Sequence, residues 1–193
     1  MTAPSVHDRL VSSAVTLLRT HGADGFGMST LLTHSSVARR SMYQHFPSGK
    51  AELLREATAA AGKGVCAYLK SVLAEHSAVD ALELWADQWK TSMIESDYAL
   101  GCPLAAASLS AQEYPDAAAE AARAFERATS LIGDALQREG LDAEQARLAG
   151  GFIVSGLEGA ILVARATRSV EPFDTFVAQA RAMWFRPQGR VSR

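Results

Sequence analysis

Arg39, Arg40, Ser41, Tyr43, His45 and Lys50 crowd one short stretch, "SSVARRSMYQHFPSGKAEL", which runs from Ser35 to Leu53. Guanidinium groups are forked donors that match a guanine edge or a phosphate, and hydroxyl, phenol and ammonium groups grip phosphate oxygens. On a helix, Arg39, Arg40 and Ser41 occupy the first turn, and Tyr43 follows Arg39 on the same face. Val37, Met42 and Phe46 are left for a core. Cations in a first turn oppose the helix macrodipole by about 0.3–1 kcal/mol each, a cost that an external polyanion offsets. The competing reading is a helix end that is charged only because it faces water. His45, beside Phe46, is read either as a phosphate contact or as a side chain that orients its neighbours.

The elements that must hold these groups follow from the flanking pattern. A first helix starts near Ser5, with Asp8 as its capping partner, and lines up Leu10, Ala14, Leu17 and Leu18 on one face. "HGADGFG", from His21 to Gly27, stops it. A short helix from Met28 to about Ser35 gives Leu31 and Leu32 to the core, and Ser35 and Ser36 separate it from a second short helix, Arg39 to about Phe46. Three helices with a tight turn between the last two describe a helix-turn-helix unit. Pro47, Ser48 and Gly49 end the unit. Ser48 is expected to cap a long helix from Lys50 into the seventies, a stiff lever where a Gly/Ser linker would be slack.

Charge divides the chain in the same place. The net charge is −2, yet residues 1–55 hold six basic side chains, Arg9, Arg19, Arg39, Arg40, Lys50 and Arg55, against Asp8, Asp24 and Glu52. The remainder is acidic. A basic module joined to an acidic one points to a polyanion partner for the first alone. Alanine is abundant and β-branched residues are sparse, so an all-α fold is expected. The expected domains are residues 1–48, a three-helix DNA-binding unit, and residues 49–193, a larger helical unit.

Further helices are expected over about 79–95, 104–110, from Pro115 to near Gly140, from a cap at Asp142 through Thr167, and from Pro172 to about Phe185, followed by a polar, frayed tail. Cys66 and Cys102 are too few for a disulfide framework or a zinc site, and no cofactor or metal is expected. "DYALGCPLAA" reads as a structural turn ahead of a short helix, with a redox-sensing Cys102 as the alternative reading. No signal peptide is evident at the N-terminus. The most apolar window, Leu148 to Ala164, is short for a bilayer and contains Glu158, so a cytoplasmic protein is expected. No HExxH, nucleophile elbow or phosphate loop occurs, which argues against an enzyme.

The segment "GADGFGMSTLLTHSSVARRSMYQHFPSGKAELL" resembles the DNA-binding region of the TetR/AcrR family of transcriptional regulators. "FPSGK" and "GCPLAA" are similar to its LmrA/YxaF-like branch. The resemblance implies base reading by Arg39, Arg40 and Ser41, phosphate contacts from Tyr43, His45 and Lys50, and a DNA contact from Ser29. It also implies a homodimer on double-stranded operator DNA, released by a small-molecule effector. Two positions depart from the pattern: Ser36 stands where the turn glycine is usual, and Ala38 where a capping Ser or Thr is usual.

For the acidic half, Trp85, Trp89 and Met93 recur at four-residue spacing. With Leu104, Ser108, Phe125, Thr129 and Phe152 they are the candidate walls of an apolar effector pocket, with Gln88, Ser92 and Ser155 as further polar anchors. Core packing is the alternative. Small residues at Gly151, Ser155, Gly156, Gly159 and Ala160 suit close helix approach. In the family the last two long helices form the dimer, which makes Gly156, Gly159, Ala160, Ile161, Phe173, Phe176, Val177 and Trp184 the candidate interface; packing inside one subunit competes. A helical small-molecule enzyme, a hydrophobic carrier and a DNA-coating protein without sequence preference are the other functional readings.

Overall fold

The computed structural model describes residues 4–184, which form nine α-helices and, among the described residues, no strand. They are α1 Val6–His21, α2 Met28–Ser35, α3 Arg39–His45, α4 Lys50–Glu75, α5 Ala78–Glu95, α6 Pro103–Leu109, α7 Pro115–Arg138, α8 Ala143–Thr167 and α9 Glu171–Trp184. The expected polar tail and Phe185 lie outside the described residues. Two compact units emerge, one from residues up to Cys66 with Ala99–Arg127, the other from Ala67–Tyr98 with the chain from Ala128 onward. The helices α4 and α7 contribute to both.

In the first unit the apolar stripe of α1 is the organising surface. Leu10, Ala14, Leu17 and Leu18 are buried against Leu31 of α2, Met42 of α3 and their neighbours, with Phe46, Leu53, Leu54 and Ala57 completing the core. Burying each large side chain contributes about 1.5–3 kcal/mol, which is why three short helices hold together. Ser5 caps α1 by accepting from the Asp8 amide. At α4 the capping runs opposite to expectation: the Glu52 carboxylate turns back to accept from the Ser48 amide at 2.9 Å. Helix α6 packs on α1, and the segment ahead of it is tied there. The Gly101 amide donates to the Arg19 carbonyl at 2.8 Å, and Arg19 Nε donates to the Gly101 carbonyl at 3.2 Å. Gly62 of α4 meets α7 so closely that a Cβ there would sit 2.6 Å from Ala124 Cβ.

In the second unit α8 packs on α5 and α9. Ser77 and Asp142 cap α5 and α8 by accepting from the Asp80 and Gln145 amides. Gly150 is required where α8 crosses α7, since a Cβ would stand 2.6 Å from the Thr129 carbonyl oxygen. Lys90 joins α5 to α9 through Asp174 at 2.6 Å, and Arg181 reaches Glu83. At one corner Asp97 and Tyr98 are both left-handed, φ 50° and 61°, and so is Arg168 at the end of α8, φ 53°. The Arg168 guanidinium donates to the Asp97 carbonyl and carboxylate and lies over the Tyr98 ring.

Candidate nucleic-acid interface

Helix α2 ends in a Schellman-type turn. The Ser36 amide donates to the Thr33 carbonyl and the Val37 amide to the Leu32 carbonyl, both at 3.2 Å. Ser36 adopts φ 52°, ψ 41°, the left-handed conformation that glycine enters without strain. Helix α3 then starts after Ala38, which makes no side-chain cap. Both departures noted in the sequence therefore have a structural counterpart. The apolar side chains Val37, Met42 and Phe46 point inward and are buried, which fixes the opposite face of α3 outward.

That outward face carries Arg39 and Arg40, both exposed, with half-buried Ser41 between them and Met42. No hydrogen bond or ion pair among the described residues engages either guanidinium. Tyr43 is 43% exposed, and it stands beside Gly49, whose φ of 78° suits glycine at the turn into α4. Ser29 and His45 are exposed on α2 and α3. The His45 ring stands edge-on to His7, 6.2 Å between centroids, while His7 stacks on Phe46 at 5.1 Å and meets Glu56 at 2.9 Å. That hydrogen bond to Glu56 raises the His7 pKa above its ordinary value.

Lys50 is engaged within the chain. Its ammonium turns inward and donates to the Ala23 and Phe26 carbonyls at 2.7 and 2.5 Å, with the Phe26 ring 4.4 Å away. Burial lowers its pKa, partly offset by Asp24 and Glu113. In this geometry Lys50 pins the α1–α2 loop to the start of α4 and is not extended toward a phosphate. A side chain that the sequence pattern does not single out is Arg9, which forks onto the Ser35 and Ser36 carbonyls from α1. Its signal is position: like Arg39, it is a cation close to a helix N-terminus, where the macrodipole disfavours it.

The candidates in the acidic half are scattered more widely. Trp85 and Met93 are buried, Trp89 is half-buried and Gln88 is exposed. Beside Trp85 a void of only about 10 Å³ is lined by Leu69, Leu82, Ile132 and Ile153, room for no more than a water molecule. Thr129, like Leu104, Ser108 and Phe125, is part of the α6–α7 stretch, yet the last three belong to the first unit. The Ser108 hydroxyl is spent on the Leu104 carbonyl of its own helix. Phe152 is not a wall beside Trp85: it stacks on Phe176 and meets Trp184 edge-on at 5.1 Å, on the α8–α9 face.

Three dimer candidates make their contacts within the chain. Ile161 and Phe173 are already buried within the chain, at 3% and 0% exposure, so they have no surface left to give a partner. Gly156 makes its close approach internally, because a Cβ there would stand 2.3 Å from the Phe176 ring. Gly159 has nothing within 4 Å and, with Ala160 and Phe176, lines an open groove of about 510 Å³ between α8 and α9. Val177 and Trp184 are half-buried. Further apolar residues are exposed on the same two helices: Leu148, Leu162 and Val163 on α8, Leu162 at 68%, and Met183 on α9.

With this geometry in place, residues 10–57 match the bacterial regulatory proteins of the tetR family, and residues 78–179 match the LmrA/YxaF-like transcriptional regulator C-terminal domain. The chain belongs to the TetR family of transcriptional regulators. An HTH-type transcriptional regulator of Mycobacterium tuberculosis is 34% identical over 180 residues, covering 90% of this chain and 91% of that protein. LmrA of Bacillus subtilis is 22% identical over 183 residues, covering 86% and 89%. A TetR regulator from Legionella pneumophila shares the fold with a TM-score of 0.82, at 19% identity over 95% of this chain and 100% of that one. Reduced Escherichia coli NemR does so at 0.80, with 20% identity over 95% and 98%.

This TetR-family protein is thus a DNA-binding regulator and not an enzyme, and the exposed face of α3 lies within the matched DNA-binding region. The family binds operator DNA and typically acts as dimers. One helix among the described residues, α8, is long and apolar enough to cross a membrane. Its packed face is that of a core helix: Ile153, Leu157 and Ala164 are buried.

Proposed function

We propose that the protein is a homodimeric, effector-released repressor that works in the cytoplasm on a near-palindromic operator. Residues 1–48 form the reading head and residues 49–193 the effector and dimerisation region. Arg39 and Arg40 read base edges, Ser41 assists them, and Tyr43, His45 and Ser29 contact the backbone. The observation that supports this most is the pair of exposed guanidiniums in the first turn of α3, engaged by no other described residue, on a helix whose other face buries Met42. A helix end that only faced water would gain nothing from two cations at its positive pole.

Dimerisation uses α8 and α9, whose exposed apolar residues Leu148, Phe152, Leu162, Val163 and Met183 are too many for an ordinary solvent face. Two heads then enter successive major grooves one helical turn, or a multiple of it, apart. A small apolar or aromatic effector enters the region of Trp85, Trp89 and Met93, widening the water-sized void beside Trp85, and displaces α4. Effector and operator weaken each other by the same factor, as linkage requires.

Selection of bound sequences from a random DNA pool is the decisive experiment. The expected outcome is an enriched inverted repeat with half-sites spaced by a helical turn or its multiple, lost in the Arg39→Ala, Arg40→Ala variant. Enrichment of no sequence at all at physiological salt would refute the reading.

A further inference from the structure

The turn between α2 and α3 is held from outside by a side chain of α1. Arg9 Nε donates to the Ser35 carbonyl at 3.2 Å and Nη2 to the same oxygen at 2.8 Å, and Nη2 also donates to the Ser36 carbonyl. These acceptors belong to the end of α2 and the residue beyond it. The Ser36 and Val37 amides serve the earlier carbonyls of Thr33 and Leu32, so the fork takes up what the turn itself leaves over.

We propose that Arg9 is a positioning residue for DNA reading: it locks the left-handed Ser36 turn and so sets the angle at which α3 presents Arg39 and Arg40, without touching DNA itself. The inference rests on the reading of α3 as the base-reading helix. Serine at a left-handed position is strained where glycine is not, so this turn needs an external hold. Nothing at the start of α3 supplies one, because Ala38 cannot cap. Arg9 bridges 26 residues to Ser35, and the adjacent Leu10 is fully buried, so the fork is mounted on a fixed point of the core. Its planar geometry matters, since the fork aims its N–H groups at the adjacent Ser35 and Ser36 carbonyls in one fixed plane, whereas a lysine ammonium on a flexible stem does not fix that direction.

The test measures affinity for the selected operator and for unrelated DNA across a salt series. It uses the full-length protein, Arg9→Ala, Arg9→Lys, Ser36→Gly and the double variant Arg9→Ala, Ser36→Gly, with Arg39→Ala as the control. Arg9→Ala is expected to weaken operator binding about tenfold and unrelated DNA far less, with the slope of log K against log salt unchanged. Arg9→Lys recovers little, and Ser36→Gly in the Arg9→Ala background recovers most of the loss, because glycine holds the turn unaided. Unchanged operator affinity in Arg9→Ala overturns the proposal. So does a double variant no better than Arg9→Ala, or a slope that drops by about 0.9 per head, which would make Arg9 a phosphate contact. If Arg9→Ala does not fold, Arg9→Lys, which keeps charge and bulk, carries the same comparison. Operator binding that survives Arg39→Ala intact refutes the reading of α3 and takes the proposal with it.

Discussion

Varying the salt in an operator-binding experiment counts the counterions that the protein's cations displace from DNA, and the structure bounds that count. Of six basic side chains in residues 1–55, Arg9, Arg19 and Lys50 are committed to backbone carbonyls, and Arg55 pairs with Glu56 at 3.2 Å. Arg39 and Arg40 remain. Both are assigned to base edges, and even if each also displaces one counterion as it enters the groove, two heads contribute four, so log K falls against log salt with a slope no steeper than about −3.6. Between 50 and 200 mM salt the affinity drops by no more than about 150-fold. If all six cations of each head met DNA, the slope would be about −11 and the drop more than a millionfold. Fluorescence anisotropy with a labelled operator reads the difference directly. Arg40→Ala should halve the slope, to no steeper than about −1.8, whereas Lys50→Met should leave it unchanged while lowering thermal stability. A wild-type slope steeper than about −7, or a slope that falls in Lys50→Met, would refute the assignment of these cations to carbonyls.

Other consequences are open to direct measurement. Gly150→Ala should destabilise the protein by about 1–3 kcal/mol in a thermal or urea melt, because the new Cβ collides with the Thr129 backbone and not with a movable side chain. Leu162→Asp, on the exposed face of α8, should give a monomer by sedimentation and lose operator binding with little change in helicity. His7 has a raised pKa through Glu56, so its contribution to stability is complete below its ordinary value of 6.5 and is lost as pH rises through the raised folded value. The melting temperature should therefore decline over that window, and His7→Gln should flatten the decline. Ser77→Ala should cost about 1 kcal/mol through loss of the α5 cap, measured by urea unfolding.

Helix order, capping at Ser5 and Asp142, and the outward face of α3 were all legible from residue type and spacing, because each depends on contacts within a few residues. Directions of long side chains were not. Lys50 and Arg9 advertise charge, and charge alone does not say whether a cation faces phosphate or a carbonyl; that depends on where the α1–α2 loop and the α2 end arrive in space. Phe152 likewise satisfies a helical stripe that suits two neighbours, and only the position of Phe176 and Trp184 decides between them. Glycines at 156 and 159 look equivalent in sequence, yet one is filled by Phe176 and the other opens on a groove. Small residues report that something comes close, without naming it.

The left-handed corner of Asp97, Tyr98 and Arg168 has a consequence for how this chain tolerates variation. Three backbone positions that each favour glycine converge on one guanidinium, so substitutions among them will not sum. Glycine at Tyr98 relieves strain and loses a ring under Arg168, while the same change after Arg168 has already been lost carries only the relief. The sign of a mutation at one of these sites thus depends on what occupies the other two, and lineages are expected to reach the same fold through different orders of replacement.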